Sequence, residues 1–350
     1  MFAAVHGSIY EFGGLPRYAG GQGGASPRGG RCLPGVRAVP LVGIVRNPRS
    51  HRNKGHEPEL ARCSNILTQT PSTRDELRTT LMDFAARGID YLVVDGGDGT
   101  VRDVLTCGAD IYGDAWPALI VLPKGKTNAL AVDLGLPNHW SLAEGLEAAS
   151  RGNCVRRRPL SISEAERPDA KVQGFILGAG IFTIATEAGQ QAHRWGAFNS
   201  FAVGLSILWA IVQALFGRSG RGGRACTPMR LRDPASGSEL PRSRHGARGE
   251  RYMLVASTLE RFPLGVRPFG RSRPGLKLAI MDFPLRWLMA LVPAILFGVH
   301  SRAFARNGAH QIDVEALDLD IGASFILDGE AFPAGRYRLR QGPLLHFVTP

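Results

Sequence analysis

The stretch Tyr91-Leu92-Val93-Val94-Asp95-Gly96-Gly97-Asp98-Gly99-Thr100 decides the fold. Its first half is a short apolar run rich in β-branched residues, which predicts a buried strand. Its second half breaks into glycines, and a helix follows to about Leu105. Upstream, Leu41 to Val45 reads as another buried strand, ended by the turn signal Asn47-Pro48 and a basic loop from Arg49 to Gly55. Between the two strands, Thr73 to Arg87 has helical spacing at Leu77, Leu81, Phe84 and Ala85, and Gly88 ends it. Downstream, a third strand from Ala118 to Leu122 stops at Pro123, and a helix runs from Asn128 to Leu134. Strand, loop and helix alternate, which predicts a parallel α/β sheet. Ligands of such sheets sit at the carboxyl ends of the strands. The loops after Val45, Asp95 and Leu122 all lie there.

The residue types in these loops suit a phosphate. Glycines at a strand end accept positive φ and let backbone approach an anion closely. The helix that follows directs N–H groups and its positive dipole end at that anion. Asp98 could hold Mg2+ or a ribose hydroxyl, and Thr100 could cap the helix or contact phosphate. The bland alternative is a tight strand-to-helix turn with a capping aspartate. Pro123-Lys124-Gly125-Lys126-Thr127-Asn128 invites a P-loop reading, but the earlier glycine of that motif would fall at Ile120, inside the strand. We read it as a second nucleotide loop: Gly125 for close approach, Lys126 for phosphate charge, and Thr127 and Asn128 for hydrogen bonds. A helix N-cap by Thr127 or Asn128 is compatible with that.

The rest of the chain divides by composition. Residues 1–39 are rich in Gly and Arg without periodicity and read as a disordered tail. Met1 to Val5 is mildly apolar, but Glu11, Gly13, Gly14 and Pro16 follow, so no signal peptide is expected. Residues 40–158 form the expected nucleotide-binding α/β domain. Residues 159–350 form a strand-rich second domain, with apolar segments at Gly174–Gly180, Tyr252–Leu259, Leu276–Asp282, Asp313–Leu319 and Leu344–Thr349. The last residues are free to return to the first domain. Two long apolar stretches, Trp195–Gly217 and Pro284–Val299, read as helices of a soluble or membrane-surface protein rather than as spans. The segment 217–251 reads as a basic linker, with nine Arg against Asp233, Glu239 and Glu250. Arg218, Arg221 and Arg224 open it. The formal net charge of +12 favours anionic partners. Five widely spaced cysteines without a C-x-x-C argue against a zinc site or a disulfide framework and for a reducing cytoplasm.

Asn47-Pro48, Gly96-Gly97-Asp98-Gly99-Thr100, Pro123 to Pro137 and Leu327-Asp328-Gly329-Glu330, in this order, resemble the diacylglycerol kinase catalytic-domain family. Its relatives include bacterial lipid kinases, sphingosine kinases and ceramide kinases. The resemblance implies an N-terminal α/β nucleotide domain and a C-terminal β-sandwich, with ATP and lipid meeting between them. It implies that Asn47, Gly97, Asp98, Gly99, Thr100 and Asn128 contact ATP. Gly96, Gly125, Lys126 and Thr127 join them as loop residues. It implies Asp328 as general base on the lipid hydroxyl, and Glu330 assisting through Mg2+ or the same proton; Asp98 is the candidate Mg2+ ligand by its residue type. Lys126 departs from the family pattern, which has a small hydroxyl residue there.

The expected activity is ATP-dependent phosphorylation of a membrane lipid, diacylglycerol to phosphatidic acid by default, with a sphingoid base or ceramide as rival acceptor. The expected place is the inner face of the cytoplasmic membrane, held peripherally against its anionic surface. A homodimer is left open. Two other classes compete. NAD kinases share Gly-Gly-Asp-Gly-Thr, but the Asn128 segment and the apolar helices favour lipid. A basic nucleic-acid or membrane-binding module without activity is the other, but the Arg-rich segment lacks interleaved aromatics, so no nucleic acid is expected.

Overall fold

A computed structural model of the chain describes residues 37, 39–53, 63–181, 183 and 226–350. The Gly/Arg-rich tail, the apolar stretch Trp195–Gly217, and Arg218, Arg221 and Arg224 lie outside the described residues, apart from the tail's Arg37 and Val39. Two compact units emerge. The first takes the described residues up to Pro159, then Asp169–Gly174 and Gly342–Pro350; the second takes Leu160–Pro168 and the described part of Phe175–Gln341.

The first unit is built on one sheet. Strands β1 (Val42–Arg46), β2 (Ile66–Gln69), β3 (Tyr91–Gly96) and β4 (Ala118–Pro123) stand in the order β2-β1-β3-β4 and pair in parallel. Every residue of β1, β3 and β4 is buried, as befits strands covered on both faces. Helix α1 (Arg74–Arg87) is capped by the Thr73 hydroxyl, which accepts from Glu76 N, and ends on Gly88 in the left-handed region; it buries Leu77, Leu81 and Phe84. Helix α2 (Asp98–Tyr112) runs a turn and more beyond Leu105, because Gly108 is part of it. A Cβ there would lie 2.5 Å from the Trp116 ring, so this glycine serves packing and does not stop the helix. Helices α3 (Ala129–Leu134) and α4 (Leu142–Ser150) follow; Ser141 and Glu144 form a reciprocal capping box at the start of α4.

Strand β5 (Cys154–Arg157) closes this sheet, but it does not touch β4. Between them lies β18 (Leu345–Val348), parallel to β4 and antiparallel to β5.

The second unit is antiparallel throughout. One sheet has the order β10-β9-β14-β17-β6-β7, whose edge strand β7 (Arg167–Gly174) has Arg167 and Pro168 in this unit. Its strands are β6 (Leu160–Glu164), β9 (Thr227–Arg232), β10 (Glu250–Arg251), β14 (Ala316–Ile321) and β17 (Gly335–Gln341). The other has the order β13-β12-β11-β8-β15-β16, from β8 (Ile176–Gly180), β11 (Met253–Ser257), β12 (Leu276–Met281), β13 (Ala309–Val314), β15 (Phe325–Leu327) and β16 (Glu330–Phe332). The sheets pack face to face: Phe325 of one and Tyr337 of the other meet edge-on with ring centroids 4.9 Å apart. Helices α5 (Arg286–Leu296) and α6 (Arg302–Arg306) complete the unit. Among the described residues no helix is long and apolar enough to cross a membrane.

Two expectations are corrected here. The described part of 217–251 is not a linker. In β9, Met229 and Leu231 point inward and Arg230 and Arg232 outward, where the register sets them opposite Asp320 and Asp318. A period of two hides inside the charge run. Arg251 is not solvated at all: it is 0% exposed and its Nη1 donates to Asp282 Oδ1 at 2.5 Å. Ser243 N and His310 Nε2 also meet Asp282 Oδ2, at 2.7 and 3.0 Å. Burial pushes the Asp282 carboxyl up, but His310, the Ser243 amide and the Arg251 charge more than reverse it and leave it below the usual aspartate value. The second correction concerns cysteine. Cys154 is disulfide-bonded, while Cys63, Cys107 and Cys226 are free.

Candidate active site

The site of the first unit grows from the ends of β1, β3 and β4. Arg46 and Asp95 are register partners at the last rungs of β1 and β3. Both are buried, and they pair at 3.1 Å. Asn53 folds back over them: its Nδ2 donates to Asp95 Oδ1 at 3.0 Å, to Asp95 O at 3.1 Å and to Asn47 O at 3.1 Å. The first loop is thereby fastened to β3. It is fastened to the third loop as well, since Arg52 N donates to Lys124 O at 3.2 Å and Lys124 N to Gly96 O at 3.0 Å.

Asn47 takes its place in this lattice. Its N–H donates to Asp95 O at 3.0 Å, and its Nδ2 to Thr100 Oγ1 at 3.0 Å. Gly96 cannot carry a side chain, because a Cβ there would lie 2.5 Å from Thr100 Oγ1. Gly97 and Gly125 press backbone on backbone: a Cβ on either would fall within 2.9 Å of the other's Cα. Gly97 also starts α2 and brings no capping side chain to its first turn. The loops therefore present main chain rather than side chains at the positive end of a helix, which suits a phosphate.

Asp98 takes the capping role of the alternative reading, though for another helix. It is the first residue of α2, and its carboxylate reaches across to α3. Oδ2 accepts from Ala129 N at 2.9 Å and Oδ1 from Leu130 N at 3.2 Å. Asp98 is thus the N-terminal cap of another helix. Asn128, at the cap position itself, has φ 49° and turns its side chain back on its own loop. Its Oδ1 accepts from Gly125 N at 2.8 Å and its Nδ2 donates to Gly125 O at 3.0 Å. So neither Thr127 nor Asn128 caps α3 by its side chain. Burial lifts the Asp98 carboxyl above the usual aspartate value; the amides of Ala129 and Leu130 and the Arg102 charge offset only part of this. A carboxylate with both oxygens on backbone amides and a raised pKa does not fit a direct Mg2+ ligand, and we derive no step through an ion held there. Among the described residues no three His, Cys, Asp or Glu side chains cluster as a metal site. Lys126 and Thr127 are exposed at the loop's tip.

In the second unit, Asp328 and Gly329 form the two-residue turn between β15 and β16, both at positive φ (46° and 89°). Asp-Gly meets the demand of a type I′ turn. The Asp328 side chain is nonetheless directed elsewhere. Phe175 N donates to its Oδ2 at 2.9 Å and to its Oδ1 at 3.2 Å, and Ile176 N to its Oδ1 at 2.9 Å. The turn is therefore strapped to the start of β8. Glu330 begins β16, exposed, as the register partner of Leu327.

Sequence reading missed Arg46, Asn53 and Asp95. A signal existed: an arginine and an aspartate, each closing a strand of apolar residues, are ion-pair partners when those strands are neighbours.

Residues 43–158 match the family model "Diacylglycerol kinase catalytic domain". A probable lipid kinase, YegS, of Shigella flexneri is 37% identical over 68 residues, which is 19% of this chain and 22% of that protein. The same protein from Escherichia coli O1:K1 / APEC matches equally, at 37% over 68 residues. The alignment thus spans about a fifth of the length of these curated relatives, 22%. A diacylglycerol kinase from Bacillus anthracis str. Sterne has the same fold, with a TM-score of 0.61 at 14% identity over 90% of this chain and 98% of that one. The four motifs and the match over residues 43–158 agree: that segment is similar to the diacylglycerol kinase catalytic domain, and the fold is that of the solved Bacillus anthracis structure.

Proposed function

We propose that this chain is an ATP-dependent lipid kinase that phosphorylates diacylglycerol to phosphatidic acid. The observation that carries the reading is the lacing of three strand-end loops into one glycine-lined floor. Gly97 lies against Gly125 and the start of α2, within the segment that matches the family.

On this reading the backbone from Gly96 to Thr100 and the loop from Gly125 to Asn128 hold the phosphates. Asn47 keeps Thr100 in position, and Lys126 adds charge at the tip. Asn128 and Asp98 act one step back, by fixing the loop and the helix behind it. Mg2+, where ATP brings it, would supply counter-charge to the phosphates and would not be anchored on Asp98. The lipid hydroxyl oxygen forms a bond to the γ-phosphorus, the bond to the β-bridging oxygen breaks, and ADP leaves. Asp328 takes the hydroxyl proton, and Glu330 supports it from the same hairpin. Such chemistry needs positioning and charge stabilisation more than covalent catalysis.

Incubation with γ-labelled ATP and, in parallel, diacylglycerol, ceramide, sphingosine and NAD tests the reading. Label in phosphatidic acid is the expected result. Label in ceramide phosphate or sphingosine phosphate alone would move the acceptor within the lipids. Label in NADP alone, or in none, would overturn the lipid-kinase reading.

A further inference from the structure

The second unit carries an apolar surface that the kinase reading does not use. Helix α5 has one face against the core, where Met289 packs with Tyr252 and Met281, and Val292 lies beside them. Its opposite face is also apolar. Trp287, Ala290, Leu291, Ala294 and Phe297 recur at steps of three and four along the helix and its C-cap, with Trp287 42% and Phe297 65% exposed. A helix that is apolar all round belongs in an apolar environment on both sides.

Neighbouring segments extend the surface. The loop at Pro263–Gly265 raises Leu264, 75% exposed. That loop is tied to the end of α5, since Arg267 N donates to Leu296 O at 2.6 Å and the Arg267 stem flanks Gly298. Trp287 and Phe304 of α6 have ring centroids 6.2 Å apart, so α6 borders the same patch. Leu264, Trp287, Leu291, Phe297 and Val299 together are five of the eight large exposed hydrophobics among the described residues.

Charge selects the occupant. From Arg261 to Gly308 the chain has eight Lys and Arg and a single acidic residue, Asp282, which is buried on Arg251. Arg267, Arg271, Arg286, Arg302 and Arg306 are exposed around the apolar face. A second copy docked through this face would bring two arginine-rimmed surfaces together, with no exposed acidic residue between Arg261 and Gly308 to pair them. An anionic bilayer meets both demands. Its acyl boundary accepts Trp, Leu and Phe, and its headgroups accept the arginines.

We propose that α5, the Leu264 loop and α6 form the surface by which the chain docks on an anionic lipid bilayer. The purpose of this surface rests on the lipid-kinase reading, whereas docking is measured separately from it.

The test is co-sedimentation of the full chain with vesicles of phosphatidylcholine alone or mixed with phosphatidylglycerol. Binding to the mixed vesicles is expected, weakened by salt and by about tenfold in each of Leu264→Ser and Phe297→Ser. Arg302→Gln and Arg306→Gln should each weaken it about fivefold. Trp287 emission should shift to the blue on binding, read as the difference from Trp287→Phe. All of these positions are exposed, and circular dichroism checks that the variants stay folded. Wild-type binding that none of the variants weakens would overturn the proposal. So would no binding, or light scattering that shows a dimer abolished by Phe297→Ser. Amide exchange over 286–299 that vesicles do not slow would mean another part of the chain covers the face, and would overturn it too. Phosphorylation of a water-soluble short-chain diacylglycerol should be unchanged in Phe297→Ser. Its absence in the wild type would count against the kinase reading and leave the docking result standing.

Discussion

Asp98 and Asp328 each stand beside a glycine, and each holds down a remote piece of backbone. Asp98 caps α3 through Ala129 and Leu130 in the first unit; Asp328 straps β8 through Phe175 and Ile176 in the second. Their settings differ. Asp98 lies in a helix start, half-buried, with its carboxyl pushed up by desolvation. Asp328 sits half-buried at a hairpin tip in the left-handed region. The similar contacts teach that a carboxylate in a signature motif can owe its place to backbone amides.

The largest effect expected separates them by rate. Asp328→Asn should lower kcat by about a thousandfold if the carboxylate is the base, with the KM for ATP nearly unchanged. The amide also puts an NH2 against the Phe175 or Ile176 amide, so a melting curve must accompany the assay. A variant that melts early yet keeps near-wild-type kcat would reduce Asp328 to a strap.

Next come the glycines of the two turns. Gly97→Ala forces a Cβ to within 2.9 Å of Gly125 Cα and should cost about 2–3 kcal/mol and raise the KM for ATP. At Gly329 nothing lies within 4 Å of an added Cβ, so Gly329→Ala meets only the strain of φ 89°, about 1–2 kcal/mol. Equal losses in urea melts would contradict the close packing of Gly97 against Gly125.

Asp98→Asn should cost about 1–3 kcal/mol, because one of the two α3 amides loses its acceptor. Amide exchange at Ala129 and Leu130 should quicken. An unchanged stability would count against the capping role of Asp98.

The smallest effect is a difference in pH slope. Asp98 titrates above the ordinary 3.8, so its share of stability is full below that value and is lost as pH rises through its raised pKa. Asp282 titrates below 3.8, so its share is present above that value and is lost as pH falls through its lowered pKa. Urea melts between about pH 3 and pH 7 should flatten in opposite senses for Asp98→Asn and Asp282→Asn.

Much of the first unit is legible in the sequence because its signals are local. Apolar runs, Asn47-Pro48 and Gly96-Gly97 mark strands and their ends without reference to anything distant. The function of Asp98 is not local, since the amides it caps lie 31 and 32 residues on. The buried Arg46–Asp95–Asn53 group needs the order of the strands before it can be seen. The basic segment misleads for a related reason: Arg230 and Arg232 look like a solvated run until Asp318 and Asp320 are set opposite them. Arg251 offers no sign at all of being fully buried.

The insertion of β18 between β4 and β5 has a consequence for biosynthesis. A ribosome delivers β4 and β5 early, but they cannot meet, because the strand that joins them is made after all of the second unit. The later unit can close first, at Gln341, while the earlier one waits with the edge of β4 unpaired. The nascent first unit is then the one in need of a chaperone.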